Sequence, residues 1–474
     1  MIVATVALCA ACGGATRQAP PAKVAGVRVV DLIPASLSGE TWQDAEPFLA
    51  LYASNAQLMA ASAFTPNPGG SASATAPIFV SNDGGDTWTL RNTIPSEGMT
   101  ADITHAAGPT PPVLYSGILK VPGVPLNELK ASDFFSPATM TLQASRADVD
   151  QPFVRTAPAA SADRVYVGLN DFDAPNGQTA TVDVSLDGGA TYKSRRIETR
   201  ATVGQNGPSV RPAVAQDHTV YVAYFGWRAT TGSIVTSDVV VVRDDSGATG
   251  ATPFRDLLDP SDHLPGRLVA TRVTIPWSNA PTLGQERIGS TLSIAVNPLH
   301  SDTVYLAWAD RVGTGDIYTV HVRRSTDRGG TWSGDLRTAT NATNASLAVS
   351  ASGTVGLLYQ QVTGSDSSSR WVTRLEQSRD GFTTHQDAVL ATVPANAPPL
   401  QFLPYIGDYN GLLTRGDQFL GVFSASNAPD STNFPQGVVY HRRVDFATHR
   451  LLDGSGATVT VSIDPFFFSV PVLP

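Results

Sequence analysis

The chain repeats one pattern seven times, and few folds accommodate that. The unit is an apolar strand, a short polar turn and a second strand of the form VYVA. It runs FLALYASNAQLMAAS at 48–62, PVLYSGIL at 112–119, FVRTAPAASADRVYVGLND at 153–171 and VRPAVAQDHTVYVAYFGW at 210–227. It returns as LSIAVNPLHSDTVYLAWAD at 292–310, SLAVSASGTVGLLYQQ at 346–361 and YIGDYNGLLTRGDQFLGVFSAS at 405–426. A period of about 40 to 50 residues marks a propeller or an array. The turns are rich in Asn, Asp, Ser and Gly, as tight hairpins require.

A second phrase follows the hairpin in several copies: SNDGGDTW at 81–88, SLDGGATY at 185–192 and STDRGGTW at 325–332. Each lies between an apolar strand and an outer strand, as in APIFVSNDGGDTWTL. The chemistry is that of a turn. An Asp carboxylate accepts backbone N–H groups of the turn it begins, a Gly takes positive φ without strain, and the aromatic ring packs down between strands. The structural set is therefore Ser81, Asp83, Gly85, Thr87 and Trp88, then Asp187 and Gly189, then Asp327, Gly329 and Trp332. VVVVRDDSG and SRDGFTTH (378–385) read as copies that have lost the Gly or Thr positions.

Hairpin plus motif makes four strands per unit, the composition of a propeller blade. The expectation is an all-β chain, a single β-propeller over 27–474 with four-stranded antiparallel blades, seven favoured and six the alternative. Asp83 and Asp187 are 104 residues apart, about two blades, and Asp327 and Asp380 are 53 apart, about one. Asp187 and Asp327 are 140 apart, which places an insertion near 248–288. A propeller must also close its ring. VRVVDLI at 27–33 and VTVSIDPFFFSVPV at 459–472 both read as strands and are expected to meet in the last blade.

Composition removes several classes of function. Charged residues are 15% of the chain, the net charge is -9, and no Lys/Arg stripe offers a surface for nucleic acid. The only cysteines, Cys9 and Cys12, exclude a disulfide framework. The eight histidines show no metal-ligand spacing, so neither a metal nor a cofactor is implied. Residues 1–22 read as an export signal and linker, apolar, then small, then Pro-rich. ALCAACGG resembles a bacterial lipoprotein processing site with Cys12 as the lipidated residue; an ordinary cleaved signal is the alternative. The expected product is an exported monomer, free outside the cell or in the periplasm, or lipid-anchored at a bacterial surface.

SNDGGDTW, SLDGGATY and STDRGGTW resemble the Asp-box (BNR) repeats of the sialidase superfamily. The resemblance covers about 27–474 and implies an Asp-box propeller with its boxes on the face away from the active site. Such boxes occur in sialidases and other glycan hydrolases, polysaccharide lyases, lectins and non-enzymatic propellers. A sialidase would further require an Arg-Ile-Pro motif, which this chain lacks, and its nearest text is Arg211-Pro212. The seven units also exceed the six blades usual in sialidases.

In a propeller the inner strands of all blades begin around one opening, so residues at their starts converge. These are Asp44, Glu46, Asp102, His105, Asp148, Asp150, Asn206, Arg211, Glu286, Arg287, Asn341, Asn344, Tyr405, Asp408 and Tyr409. Loops after the second strands add Asp171, Asp173, Trp227, Arg228, Asp310, Arg311 and Asn427. Glycoside cleavage uses paired carboxylates, and an anionic sugar needs Arg. The enzyme reading thus takes Glu286 or Asp310 as acid/base and Tyr409 with Asp408 as a nucleophile unit. It takes Arg211, Arg287 and Arg311 as a carboxylate clamp, with Trp227, Tyr405 and Asp150 as further substrate contacts. His105 is the candidate base of a lyase. The same residues also read as strand-start caps, local Asp310-Arg311 and Glu286-Arg287 ion pairs, and wall packing. Two functions stand: a sialidase-like glycoside hydrolase acting on anionic glycans, with a lyase as variant, or a non-catalytic surface propeller binding glycan or protein.

Overall fold

The computed structural model describes residues 24–64, 76–91, 99–109, 112–121, 125–135, 140–203, 209–232, 234–276, 291–312, 318–399 and 405–473. The export-type segment with Cys9 and Cys12, as well as Asn206, Glu286 and Arg287, lies outside them. Among the described residues the regular structure is all β apart from short 3-10 turns. It forms eight antiparallel sheets, seven of four strands and one of three.

Six four-stranded sheets are consecutive in the chain, over 45–91, 99–146, 149–196, 210–276, 292–340 and 342–394, each strand pairing with the next. Each repeat unit contributes to the first hairpin of one sheet. The seventh sheet is composite: Gly411–Arg415 pairs with Gln418–Ser426, then comes the C-terminal strand Ile463–Pro471, and last the N-terminal strand Arg28–Asp31. Val29 lies opposite Phe468 and Val30 opposite Phe467, so the two terminal segments meet in one sheet, as their patterning predicts.

The C-terminal strand reads as a continuous apolar run because both of its faces are buried. Phe466 and Phe468 join a core shared with the sixth sheet, whereas Phe467 joins Met59, Phe79 and Trp88 of the first. The first strand of each sheet packs against the first strand of the next, in order, and Gly411–Arg415 packs back against Ala45–Leu51.

The Ser-x-Asp motif forms one hydrogen-bonded turn in four sheets. In the first, Ser81 Oγ donates to Asp83 Oδ1 (2.8 Å), Thr87 N donates to the same oxygen (2.9 Å), and Gly85 N donates to Ser81 Oγ (2.9 Å). Asp187 and Asp327 repeat the pattern with Thr191 and Thr331. SRDGFTTH corrects the reading of a lost Thr: Thr384 donates to Asp380 from N (2.9 Å) and Oγ1 (2.7 Å), and Phe382 occupies the Gly position at φ 65. The fourth sheet builds the turn from other residues. Asp244 stands where Ser stands elsewhere, and its Oδ1 accepts from Ala248 N at 2.7 Å, with Ala248 at φ 62. Sequence here varies while the backbone shape is kept.

These turns hold neighbouring sheets together. Arg28 of the seventh sheet donates to Gly84 O (2.7 Å), Lys130 of the second to Gly188 O of the third (2.8 Å), and Arg243 of the fourth to Arg328 O of the fifth (2.7 Å). In each case the carbonyl before the third-strand turn's conserved-shape position is gripped by a cation from the preceding sheet.

Candidate functional site: an axial polar hub above a cationic pocket

The inner strands do not run straight into the centre. Bulges interrupt pairing between Ala45 and Phe48, Thr100 and Ile103, Asp150 and Phe153, and Thr343 and Ser346. A bulge re-aims a side chain, and the residues at these bulges include Glu46, Asp102, Gln151 and Asn344, all buried. Three inner strands carry Pro next to a buried hub residue, in Glu46-Pro47, Gln151-Pro152 and Arg211-Pro212. Proline has no N–H to give, and only an edge strand tolerates that within a sheet.

The result is a buried polar hub centred on Arg211, which is 1% exposed. Its NH2 donates to Gln151 Oε1 (3.1 Å), and Gln151 Nε2 donates to Asp408 Oδ2 (3.3 Å). The guanidinium lies 4.5 Å from the Phe153 ring centroid and 5.4 Å from that of Tyr409. Burial pulls Arg211 down to about 10, against the opposing fields of Tyr409, Asp102, Asp408 and Glu46. Burial, with Asp102 and Glu46, drives the Tyr409 hydroxyl well above its ordinary range. Asn344 closes the hub by donating to Gly407 O at 2.8 Å.

Beneath the hub lies an aromatic layer. Phe48 meets Phe153 edge-on at 4.9 Å and Tyr409 at 6.3 Å. A second guanidinium, Arg155, lies 4.3 Å from the Phe153 centroid, so one ring carries two cations.

Below this layer is a cavity of about 330 Å³ at the far ends of the inner strands. Its polar lining is His105, Arg155, Thr156, Thr414 and Arg415, and its walls include Leu49, Leu51 and Leu413. First and third strands of an antiparallel sheet run the same way, so this pocket opens on the side of the Ser-x-Asp turns, not on the opposite face where the Asp-box resemblance places an active site. Arg415 indeed also lines the outer cleft beside Asp83 and Gly84. Burial, followed by the Arg211 field, lowers Arg155 to about 9, and burial lowers Arg415. Burial takes His105 down to about 3, so its ring is neutral at neutral pH; Nδ1 lies 3.0 Å from Ser116 Oγ. Among the described residues no carboxylate forms a salt bridge with Arg155 or Arg415, and none lines the cavity. Two such guanidinium groups offer donors of the kind that match carboxylate, sulfate or phosphate oxygens.

Sequence reasoning names the hub residues Glu46, Asp102, Arg211, Asp408 and Tyr409, and the structure brings them together. It disperses others. Asp310 Oδ2 accepts from Trp308 Nε1 (3.0 Å), and its Oδ1 faces His321 Nε2 (3.1 Å), whose Nδ1 faces Asp335 (2.9 Å). Burial opposes the charged His321 ring, but the two carboxylates prevail and raise it. Arg311 points elsewhere, donating to Tyr318 Oη at 3.2 Å. Trp227 and Tyr405 are core side chains. Asp150 accepts from Gln151 N (2.8 Å), Asp171 is held by Arg146, and Arg228 pairs with Glu198 and Asp238. Asn427 caps Ser462. Arg155 and Arg415 were missed. The available signal was strand alternation, which puts Arg155 on the same face as Phe153 two residues before it.

No family model matches the chain, and no curated protein matches its sequence. Among solved structures, an ulvan lyase of polysaccharide lyase family PL25, bound to -[GlcA(1-4)Rha3S]-, matches with a TM-score of 0.50 at 10% identity. That match covers 81% of this chain and 92% of the lyase. A Dyadobacter fermentans protein of unknown function matches with a TM-score of 0.44 at 10% identity over 95% of this chain and 100% of its own. An α-L-arabinofuranosidase from Fusarium graminearum gives 0.44 at 10% over 94% and 97%. The likeness to the lyase is one of fold, and the fold is that of a propeller.

Proposed function

We propose that the chain is a closed seven-bladed propeller, kin to the Asp-box propellers of the sialidase superfamily, that binds an anionic saccharide through its axial pocket. The observation that carries this reading is the pair of guanidinium groups, Arg155 and Arg415, in a cavity of about 330 Å³ without a carboxylate among its described lining residues. Pockets for small ligands begin near about 300 Å³, enough for one sugar unit. A uronate carboxylate or sulfate ester would accept from the guanidiniums, with the threonine hydroxyls and His105 left for ring hydroxyls. The contacts around the inner strands and the composite seventh sheet support seven blades and closure.

Binding is favoured here over cleavage. Hydrolysis by paired carboxylates places them about 5 to 10 Å apart across the bond. Asp310 is engaged by Trp308 and His321, whereas Asp408 sits in the hub with Gln151. An exported protein, anchored through Cys12 or free, would meet such polysaccharides outside the cell.

Calorimetric titration of the full chain with glucuronate-bearing and sulfated oligosaccharides tests the reading, with neutral oligosaccharides as control. Saturable binding of an anionic sugar is expected, weakened at least tenfold by Arg155→Ala or Arg415→Ala and by added salt. Absence of binding across the panel, or unchanged affinity in both variants, refutes it. Release of reducing or unsaturated ends during the titration would instead establish the enzyme reading.

A further inference from the structure

The loop from the N-terminal strand to the first sheet, residues 32–44, meets the start of the C-terminal strand at a cluster of buried carboxylates. One oxygen each of Glu40, Asp44 and Asp464 lies within 4.8 Å of the others. Asp31, outside that trio and 0% exposed, faces Asp464, and no N–H or hydroxyl donor among the described residues reaches its Oδ2. Oδ1 of Asp31 accepts from Ile33 N at 2.9 Å. Glu40, 9% exposed, accepts from Trp42 N at Oε1, and its buried Oε2 has no partner either.

Among the described residues one cation, Arg442, faces Asp31, Glu40 and Asp464. Arg442 NH1 donates to Asp464 Oδ2 (2.9 Å), while its NH2 is taken by the carbonyls of Ser38 (3.0 Å) and Glu40 (2.6 Å). Buried charges need partners, and one guanidinium does not balance three carboxylates. Positive charge is short at this point.

We propose that Glu40, Asp44 and Asp464 bind a divalent cation, calcium, with Asp31 facing it from the N-terminal strand. The donors are all oxygen, the set for a hard cation, and no His or Cys is present to favour zinc. Two calcium–oxygen bonds of about 2.4 Å can bridge oxygens up to about 4.8 Å apart, so donors lying within 4.8 Å of one another can share one ion, and calcium tolerates the irregular geometry that magnesium does not. The ion ties the N-terminal loop to the C-terminal strand, at the place where the two ends of the chain meet. It is independent of the axial pocket.

The test is metal analysis of the purified full chain, followed by thermal unfolding in calcium, in magnesium and in EDTA. One bound calcium per chain is expected, with a Tm that rises saturably with calcium and falls in EDTA. Glu40→Gln should lose most of that response, whereas Asp187→Asn, far from the cluster, should keep it. Equal Tm in calcium and EDTA with no bound metal overturns the proposal. So does a Tm that responds to acidification but not to calcium, because protons would then balance the cluster, and so does a response to magnesium alone. The wild-type measurements decide the matter even if Glu40→Gln fails to fold.

Discussion

Arg211 and Gln151 meet at 3.1 Å from two adjacent sheets, and through Gln151 the contact reaches Asp408, just ahead of the seventh. The hub is a joint between sheets made of charge, where most inter-sheet contact is apolar. Removing one partner of a buried charge network costs about 3–5 kcal/mol, because it strands the charges that remain. Arg211→Met is expected to lose stability of that order in urea unfolding. Arg211→Lys should recover only part of it, since a point charge cannot both lie along Phe153 and reach Gln151.

Gly85 adopts φ +93, and a Cβ there would overlap the Phe467 ring of the seventh sheet. Gly416 also has positive φ, +53, but opens onto empty space. Gly85→Ala combines backbone strain with overpacking and should cost about 2–4 kcal/mol, against about 1 kcal/mol for Gly416→Ala. Paired thermal melts read the difference, and equal losses would show that the turn does not press on its neighbour.

Glu128 is 1% exposed, and neither carboxylate oxygen has a hydrogen-bond partner among the described residues. Burial, then the Asp183 charge, raises it well above the usual range, against the pull of Arg146. A carboxyl with a raised folded pKa holds more protons folded than unfolded. Its contribution is therefore present below the unfolded value and is lost as pH rises through the folded one. Stability should fall as pH rises above the ordinary glutamate range, and Glu128→Gln should flatten that fall. The turn aspartates act oppositely and elsewhere. Burial of Asp83, Asp187 and Asp327 is outweighed by their hydrogen bonds, which hold them low, so their contribution is lost only as pH drops through the acid range below about 4. Denaturant unfolding at several pH values separates the two.

Deleting 459–474 removes Ile463–Pro471, the strand that pairs with both Arg28–Asp31 and Gln418–Ser426. The buried side chains of Phe466, Phe467 and Phe468 go with it. A large fall in Tm is expected by circular dichroism, and an unchanged melting curve would contradict the packing described here.

The sheets were legible because their signal is periodic. An apolar pair of strands around an Asn/Gly turn recurs whatever the ligand, and Phe466–Phe468 announces a strand buried on both faces. The site was legible only in part. Residues at inner-strand starts do converge, which brings Glu46, Asp102, Arg211 and Asp408 together. But bulges at Glu46, Gln151 and Asn344 decide how deeply a side chain is turned in, and they are produced by packing against neighbouring sheets. Asp310 and Arg311, adjacent in sequence, point to different partners because strand alternation sends them to opposite faces. Arg155 and Arg415 belong to no motif, and only the assembled axis gives them a common cavity. The four acids near Arg442 come from residues 31, 40, 44 and 464, a spacing no local pattern reveals.

The composite seventh sheet has a consequence for the protein at high concentration. Its last strand, Arg28–Asp31, is held by hydrogen bonds to Ile463–Pro471 and, on its other edge, to Val439, with no short connection to either. The edge of Ile463–Pro471 that receives it fits the same strand from any copy equally well. Two molecules refolding together could therefore exchange their first strands and keep the inter-strand bonds of the single chain, which is the route by which strand-swapped dimers form.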